Sequence, residues 1–344
     1  MKKLFTTKKL LTLILIIPAL ILSACTVAPA QPETQPPTQP TDAPAQPVRI
    51  AALKGPTAMG LAGIVKDDPN GERYTLNLSA APDAIPPLLV KGEVDIACIP
   101  GNLAAVLYNR QPELLQMIVI NTVGVLYLTD NGGTSVKKVE DLKGKTIVLA
   151  GKGATPEYAL NYILDANEIN PAAVKLDFKS EHAEAVAALA QGKADLALMP
   201  QPFVTVAQTK NPSIRVVIDM NEAWEEAASL KGEPGRLVMG VAVARRAFIE
   251  ENPAAVRQFL ADYAASQQFV TTDTAGAAAV IGEMDIVPQP VAIKALPYCG
   301  ISNIAGAEMQ TIMDGFLAAL FAQNPKAVGG ALPPADFYFT GNES

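Results

Sequence analysis

A single histidine, His182, and three cysteines, Cys25, Cys98 and Cys299, are all that the 344 residues offer of the side chains that most often bind metals or act as nucleophiles. Three cysteines without paired spacing match none of the usual zinc arrangements, so no metal site is expected. One histidine confines any Ser-His-Asp chemistry to its own neighbourhood, and no G-x-S-x-G elbow is present to position a serine. Neither a P-loop nor HExxH occurs, and Gly151-Lys152-Gly153 lacks the third glycine of a dinucleotide fingerprint. No catalytic residue and no cofactor is therefore assigned. Aromatic residues make up only 6% of the chain, too few to favour a site that stacks a flavin or a sugar. Basic residues are also in deficit. Of 27, four belong to the leader described below, leaving 23 against 34 acidic ones and a net charge near −11, which sets nucleic acid aside as a partner.

Long apolar runs are confined to the start. Lys2, Lys3, Lys8 and Lys9 precede residues 10–22, apolar except for Thr12 and Pro18, with the length and flanks of an export signal rather than of a membrane span. The run ends in Leu22-Ser23-Ala24-Cys25. Residues 26–47 are then almost entirely Pro, Gln, Thr and Ala, which cannot bury a core and favour extended conformations. This divides the start into a signal peptide, 1–24, and a spacer, 25–47. With 49% apolar and 18% charged residues, the remainder has a globular composition and is long enough for two lobes. Cys98 and Cys299 are either one disulfide of an exported protein or two buried thiols acting as small hydrophobes.

What organises that remainder is a repeat. Residues 91–102, KGEVDIACIPGN, return one hundred positions later as 191–202, QGKADLALMPQP, so that Gly92, Asp95, Ala97 and Pro100 recur as Gly192, Asp195, Ala197 and Pro200. Upstream of the two copies, Lys54-Gly55-Pro56-Thr57 is matched by Lys152-Gly153-Ala154-Thr155, each after an apolar run and each opening a helical pattern. So long a period argues for paired α/β lobes rather than a solenoid. The expected fold is α/β with two Rossmann-like lobes, 48–125 plus 240–344 and 126–239, joined by two crossovers with a ligand cleft between them. The crossovers are read at 114–129, where Asn121, Thr122 and Gly124 interrupt an extended stretch, and at 237–244, around Gly240. Helices are expected over 56–67, 83–91 and 155–167, and four more, 253–270, 273–284, 290–296 and 306–323, are expected to pack back onto the first lobe. Residues 324–344 read as a tail over the surface.

In open α/β sheets ligands bind beyond the carboxyl ends of the strands. That edge carries Lys54, Gly55, Thr57 and Met59 after one strand, Asp83 after the next, then Asn102, Gly153 and Thr155, His182, and Pro200 with Gln201; Asn121 lies in the first crossover. Thr57 and Thr155 are read as N-caps, the latter with Pro156 as first helical residue, and each helix opening offers unpaired N–H groups to an anion. Two such openings facing across a cleft would clamp one small anion. Each threonine also has a plain capping role, and Lys54 and Lys152 a role in turn geometry or solubility. Asp95 and Asp195 fall at the opposite strand end and are assigned to turn hydrogen bonds. Asp83 suits a ligand amine or hydroxyl, and His182 either a ligand or solvent. Tyr158, Phe203 and Trp224 are candidates for lining the site or for packing.

The Leu22-Ser23-Ala24-Cys25 run resembles the lipobox of bacterial lipoproteins. Together with the spacer, the repeated G-x-x-D-[IL]-A pattern ending in Pro100 and Pro200, and Asp141-Leu142-Lys143-Gly144-Lys145, it makes residues 48–339 resemble the solute-binding lipoproteins of ABC importers. The likeness is to their type II periplasmic binding proteins, of the group that carries nitrate, taurine, sulfonates and thiamine pyrimidine precursors. The resemblance implies lipidation at Cys25 and a monomer anchored by lipid to the extracytoplasmic face of the cell membrane. It also implies capture of a small solute, read as an organic anion, for a permease and its ATPase. It places contacts at Thr57, Asn102, Thr155 and the Met199-Pro200-Gln201 loop. Two other readings stay open: an exported enzyme of related fold centred on His182, and a signalling or adhesive lipoprotein without transport.

Overall fold

The chain builds two sheets, and each contains an antiparallel strand that directly follows a crossover between the lobes. The structure, a computed structural model, describes residues 46–233 and 235–341. The leader, Cys25 and nearly all of the spacer lie outside the described residues. In the first lobe the chain forms β1 (Val48–Leu53), α1 (Pro56–Met59), α2 (Ala62–Asp67), β2 (Tyr74–Ser79), α3 (Pro86–Val90), β3 (Ile96–Pro100), α4 (Gly101–Arg110) and β4 (Leu115–Val123). The second lobe holds β5 (Leu126–Asp130), β6 (Thr146–Ala150), α5 (Thr155–Ala166), β7 (Lys175–Lys179), α6 (His182–Ala190), β8 (Leu196–Pro200), α7 (Phe203–Lys210), β9 (Arg215–Asp219) and α8 (Met220–Lys231). The chain then returns through β10 (Val238–Arg245), α9 (Arg246–Glu251), α10 (Pro253–Thr272), α11 (Thr274–Glu283), α12 (Gln289–Ala295), β11 (Ile301–Ile304) and α13 (Gly306–Gln323).

The strand orders are β11-β4-β10-β3-β1-β2 and β7-β6-β8-β5-β9. In both, three parallel strands are followed by one antiparallel strand and then by a strand parallel to the first three. That antiparallel strand is β10 in the first sheet, which also carries β11 antiparallel to β4 at its edge, and β5 in the second; β10 and β5 are each fed by a crossover. The two crossovers touch where the Gly124 N–H donates to the Leu237 carbonyl at 2.7 Å. There Gly124 and Val125 both sit at positive φ, 69° and 70°. A Cβ on Gly124 would come within 2.9 Å of Asn221, and for β-branched Val125 this backbone region is a true outlier. One apolar cluster crosses between the lobes, with Trp224 of α8 stacked on Tyr162 of α5 at 4.2 Å and 5.8 Å from Phe316 of α13.

The repeat has a local physical cause. Gly92 and Gly192 both lie at φ 69°, one residue beyond the caps of α3 and α6. Their N–H groups donate to Leu89 and Leu189, both at 3.1 Å, and the next residues, Glu93 and Lys193, donate to Leu88 and Ala188 at 2.8 and 2.9 Å. These paired bonds are the Schellman closure, which needs a left-handed residue and so a glycine. Each closure turns the chain into a buried strand, β3 or β8.

Several local expectations are corrected. The 56–67 helix is broken into α1 and α2 at Gly60, where a Cβ would lie 2.6 Å from the Tyr263 hydroxyl. Thr57 is not an N-cap: Gly55 holds that position at φ 128°, and the Thr57 hydroxyl donates back to the Leu53 carbonyl at 2.7 Å. Thr155 is likewise the first helical residue of α5, with Ala154 at the cap and Pro156 second. The 83–91 helix is a single 3-10 turn, Pro82–Ala84, followed by α3, because successive prolines at 86 and 87 remove the donors a longer helix would need. Nor is the C-terminal stretch merely a surface tail. Phe337 and Tyr338 are buried, the Phe339 N–H donates to the Met117 carbonyl at 2.9 Å, and Tyr108 donates to Asp336 at 2.6 Å.

Asp95 does more than close a turn. It accepts from Arg49 through the backbone N–H at 3.0 Å, Nε at 2.9 Å and Nη2 at 2.6 Å, and from Arg245 Nη2 at 3.0 Å. This ties β1, β3 and β10 together at the sheet end remote from the cleft. Burial pushes the carboxyl up, yet the arginine hydrogen bonds outweigh it and hold Asp95 below the ordinary carboxylate range. Its counterpart Asp195 is exposed, and among the described residues its carboxylate accepts from Asn131 Nδ2 alone, at 3.3 Å. Asp95→Ala should therefore cost about 3 kcal/mol in urea unfolding, while Asp195→Ala should stay within about 0.5 kcal/mol of the parent. Equal losses would show that the arginine pairing carries no special weight.

Candidate functional site

The carboxyl ends of the parallel strands lead into six turns, β1–α1, β2–α3, β3–α4, β6–α5, β7–α6 and β8–α7. In the first, Lys54 is already engaged: its Nζ donates to the Asp285 carbonyl at 2.7 Å and to Asp285 Oδ2 at 2.8 Å, which lowers the Asp285 carboxyl. Gly55 is buried, and its φ of 128° is a conformation open to glycine alone. Met59 has no exposed surface and packs with Ala62, Val270 and Ala277, so it belongs to the core. Because α1 has only four residues, it brings little helix dipole to this edge.

Behind Thr57 lies a polar cluster set into the sheet. Asn121 of β4 is wholly buried, donates Nδ2 to the Thr57 carbonyl at 3.4 Å, and accepts from the Thr122 hydroxyl at 3.1 Å. The cluster exists because β10 carries Gly240 beside it. A Cβ there would fall 2.3 Å from Thr57 Cγ2 and 2.6 Å from Asn121 Oδ1.

The contact that joins the two strand-end surfaces is between Asn102 and Thr155. Asn102 lies in the first turn of α4, a ten-residue helix, and Thr155 opens α5, of twelve residues. The Thr155 hydroxyl donates to Asn102 Oδ1 at 3.4 Å, and Asn102 Nδ2 donates to the Ala327 carbonyl at 3.3 Å. The helix openings that meet across the lobes are thus those of α4 and α5, not of α1 and α5. Gly153, exposed at φ 72°, donates its N–H to Glu157 Oε2 at 2.6 Å, so one donor ahead of α5 is taken by its own helix. Gln201 is buried and turned onto α7, where its Oε1 accepts from the Thr205 N–H at 3.2 Å and the Thr205 hydroxyl at 2.9 Å; Pro200 ends β8 half-buried. Asp83 is exposed in its 3-10 turn.

A groove of about 930 Å³ runs beside this surface, between α5, the end of α8 and the end of α13, lined among others by Lys152, Gly153, Glu157, Asn161 and Gln323. It meets the strand-end turns only at Lys152 and Gly153 and is a flank of the site, not its centre. Lys152 Nζ lies 5.8 Å from the Phe178 ring centroid. Tyr158 and Trp224 pack, whereas Phe203 lies against His182. Cys98 and Cys299 are free and buried, and burial pushes each thiol up to about 12, which keeps both unionised. Among the described residues no group of three or more His, Cys, Asp or Glu comes together as metal ligands.

Residues that composition and pattern did not single out complete the surroundings. The Tyr127 hydroxyl donates to the Tyr298 carbonyl at 2.9 Å, joining β5 to the segment after α12. Gln323, Asn324 and Ala327 belong to a segment read beforehand as helix end and tail. The one local signal there was Asn324 before Pro325, a cap followed by proline.

A sequence model described as the phosphonate periplasmic substrate-binding protein of an ABC transporter matches residues 78–281. Among solved structures, an ABC transporter protein from Parabacteroides distasonis is 24% identical, with 85% of this chain and 98% of that one covered at a TM-score of 0.73. The periplasmic aliphatic sulphonate binding protein SsuA from Escherichia coli is 18% identical, over 83% and 96% of the two chains, at a TM-score of 0.66. The periplasmic nitrate-binding protein NrtA from Synechocystis PCC 6803 is 12% identical, over 86% and 85%, at a TM-score of 0.56. No curated protein matches the chain in sequence. At these identities the solved structures establish a shared fold.

His182 gives the site a pH signature. Its ring lies 4.9 Å from that of Phe203, its Nδ1 is buried without a partner, and burial lowers its pKa. The folded state therefore takes up a proton less readily than the unfolded chain, whose histidine titrates near ~6.5. Stability should be level above that pH and fall as the pH drops below it toward 5, a window in which no other side chain of ordinary pKa titrates. Chemical denaturation across that range should show the slope, and His182→Gln should flatten it; an unchanged slope would place its origin elsewhere.

Proposed function

Because the chain belongs to the family of periplasmic substrate-binding proteins of phosphonate ABC transporters, we propose that its own cargo is a small organic anion of the phosphonate or sulfonate kind, held between the lobes by the openings of α4 and α5. Members of the family are binding proteins that hand solutes to a permease and its ATPase, not enzymes. Noncatalytic capture is the reading for this chain as well, since the single histidine is a half-buried packing partner of Phe203 whose pKa is lowered by burial.

The observation that carries the choice of cargo is the contact of Asn102 with Thr155 across the lobes, at 3.4 Å. It brings the first turns of two full-length helices together, and such turns present N–H groups and partial positive charge to an oxyanion. The likeness to sulphonate- and nitrate-binding folds points the same way. Thr57, backed by Asn121 and Gly240, and the Pro200-Gln201 turn are assigned to the walls of the same site, with Gly55 and Gly153 allowing close backbone approach. Asp83, Lys54 and His182 form the rim. Binding favours the closed arrangement because contacts from both lobes exist only there. Cys25 is assigned as the lipidated residue, the 25–47 stretch as a tether at the extracytoplasmic face of the cell membrane, and the folded part as a monomer.

Methylphosphonate, ethanesulfonate and nitrate should be tested by thermal shift against a neutral control such as glycerol. A bound anion at one hundred times its Kd should add about 2.7 kcal/mol of stability. Thr155→Val and Asn102→Ala should each weaken binding at least about tenfold, or about 1.4 kcal/mol. Stabilisation by neutral solutes alone would sink the anion reading. Mass spectrometry of the mature amino terminus, with Cys25→Ala released from membranes, checks the anchor.

A further inference from the structure

The end of α13 makes a polar strap between the lobes that neither the family match nor the site above requires. On the first-lobe side the strap is pinned to one face of α4. Asn102 and Asn109, two turns apart on that helix, donate their Nδ2 groups to the carbonyls of Ala327 at 3.3 Å and of Val328 and Ala331, both at 2.7 Å. Gly329 lets the strap lie flat there, at φ 91° with a Cβ that would meet Asn109 at 2.9 Å. On the second-lobe side it reaches a single residue of α5. Gln323 Nε2 donates to the Tyr158 carbonyl at 3.0 Å, and Asn324 Nδ2 donates to the Tyr158 hydroxyl at 2.9 Å. Asn324 is itself held by its Oδ1, which accepts from the Lys326 N–H at 3.1 Å.

These bonds form a closed circuit with the cleft contact. Tyr158 and Thr155 are one turn apart on α5, Thr155 donates to Asn102, and Asn102 returns through Ala327 to the strap. A carbonyl can only accept, so the Ala327 contact fixes the Asn102 amide with Nδ2 toward the strap and Oδ1 toward the other lobe. The strap therefore both spans the lobes and sets which end of Asn102 faces the cleft.

We propose that Gln323 and Asn324 are positioning residues, a latch that holds α5 against the first lobe and keeps Asn102 oriented, so that cargo already bound leaves slowly. The part concerning cargo rests on the function proposed above; the part concerning closure does not. In the closed state the latch adds bonds that the open state lacks, so its loss raises the rate of opening while the cleft residues stay intact.

The test uses the full folded chain and three variants, Asn324→Ala, Tyr158→Phe and the double variant, with Gln323→Ala as a fourth at an exposed helix end where misfolding is no concern. Without any solute, small-angle scattering should give a larger radius of gyration for each variant than for the parent. Emission from Trp224, the only tryptophan, should shift as its neighbour Phe316 withdraws. The double variant should go no further than Asn324→Ala, since both changes remove one hydrogen bond. With methylphosphonate or ethanesulfonate bound, dissociation should quicken about tenfold and association change less. Radii and emission equal to the parent in all variants, or a double variant that simply adds the two single effects, would overturn the latch. If neither anion binds the parent, the cargo assignment fails, and the solute-free measurements still decide the latch.

Discussion

The double passage of the chain between the lobes is the constraint on which the rest of the structure depends. β5 enters the second sheet and β10 the first, each directly after a crossover and antiparallel to both of its neighbours. The chain therefore passes between the lobes twice, through two short crossovers. Those crossovers are bonded to each other at Gly124 and Leu237, with Gly124 and Val125 in left-handed backbone. A β-branched residue there costs on the order of 1–3 kcal/mol, and such strain persists only where the surroundings hold it. Here the Val125 carbonyl is held by the Gln201 N–H at 2.9 Å, which ties the crossover to the turn that follows β8.

A second regularity follows from where charge is put. The strongly paired carboxylates, Asp95 with Arg49 and Arg245, and Asp130 with Arg215, join strands away from the edge that faces the cleft. On the cleft edge the groups that meet are amides, hydroxyls and helix openings, while Lys54 is bonded to Asp285 and His182 is kept neutral by burial. As the proposed site, such a surface would select through hydrogen-bond geometry and partial charge and would release cargo without having to break a buried ion pair.

Much of this was legible in the chain because it is local. Gly92 and Gly192 mark the same helix closure and so announced two lobes; the strand after each followed from its apolar run. The positions of Thr57 and Thr155 were legible to within two residues, their roles less so. A proline can stand first or second in a helix, and only the path of the preceding turn decides which residue becomes the cap. What could not be read is everything that depends on a distant partner. Asp95 and Asp195 look alike in their repeats, yet only one has arginines, 46 and 150 positions away. Asn324 meets Tyr158 across 166 positions, and no periodicity in the C-terminal segment announces that Phe337 and Tyr338 are buried.

The missing side chain of Gly240 carries one last implication. That glycine makes room for Thr57 and Asn121, yet it arrives on β10, the strand threaded in after the whole second lobe has been built. The polar cluster behind Thr57 is thus completed by the last strand to join the sheet's middle. A nascent chain cannot finish that cluster until the second lobe has been made and the return segment has docked, so the cluster forms only late in synthesis.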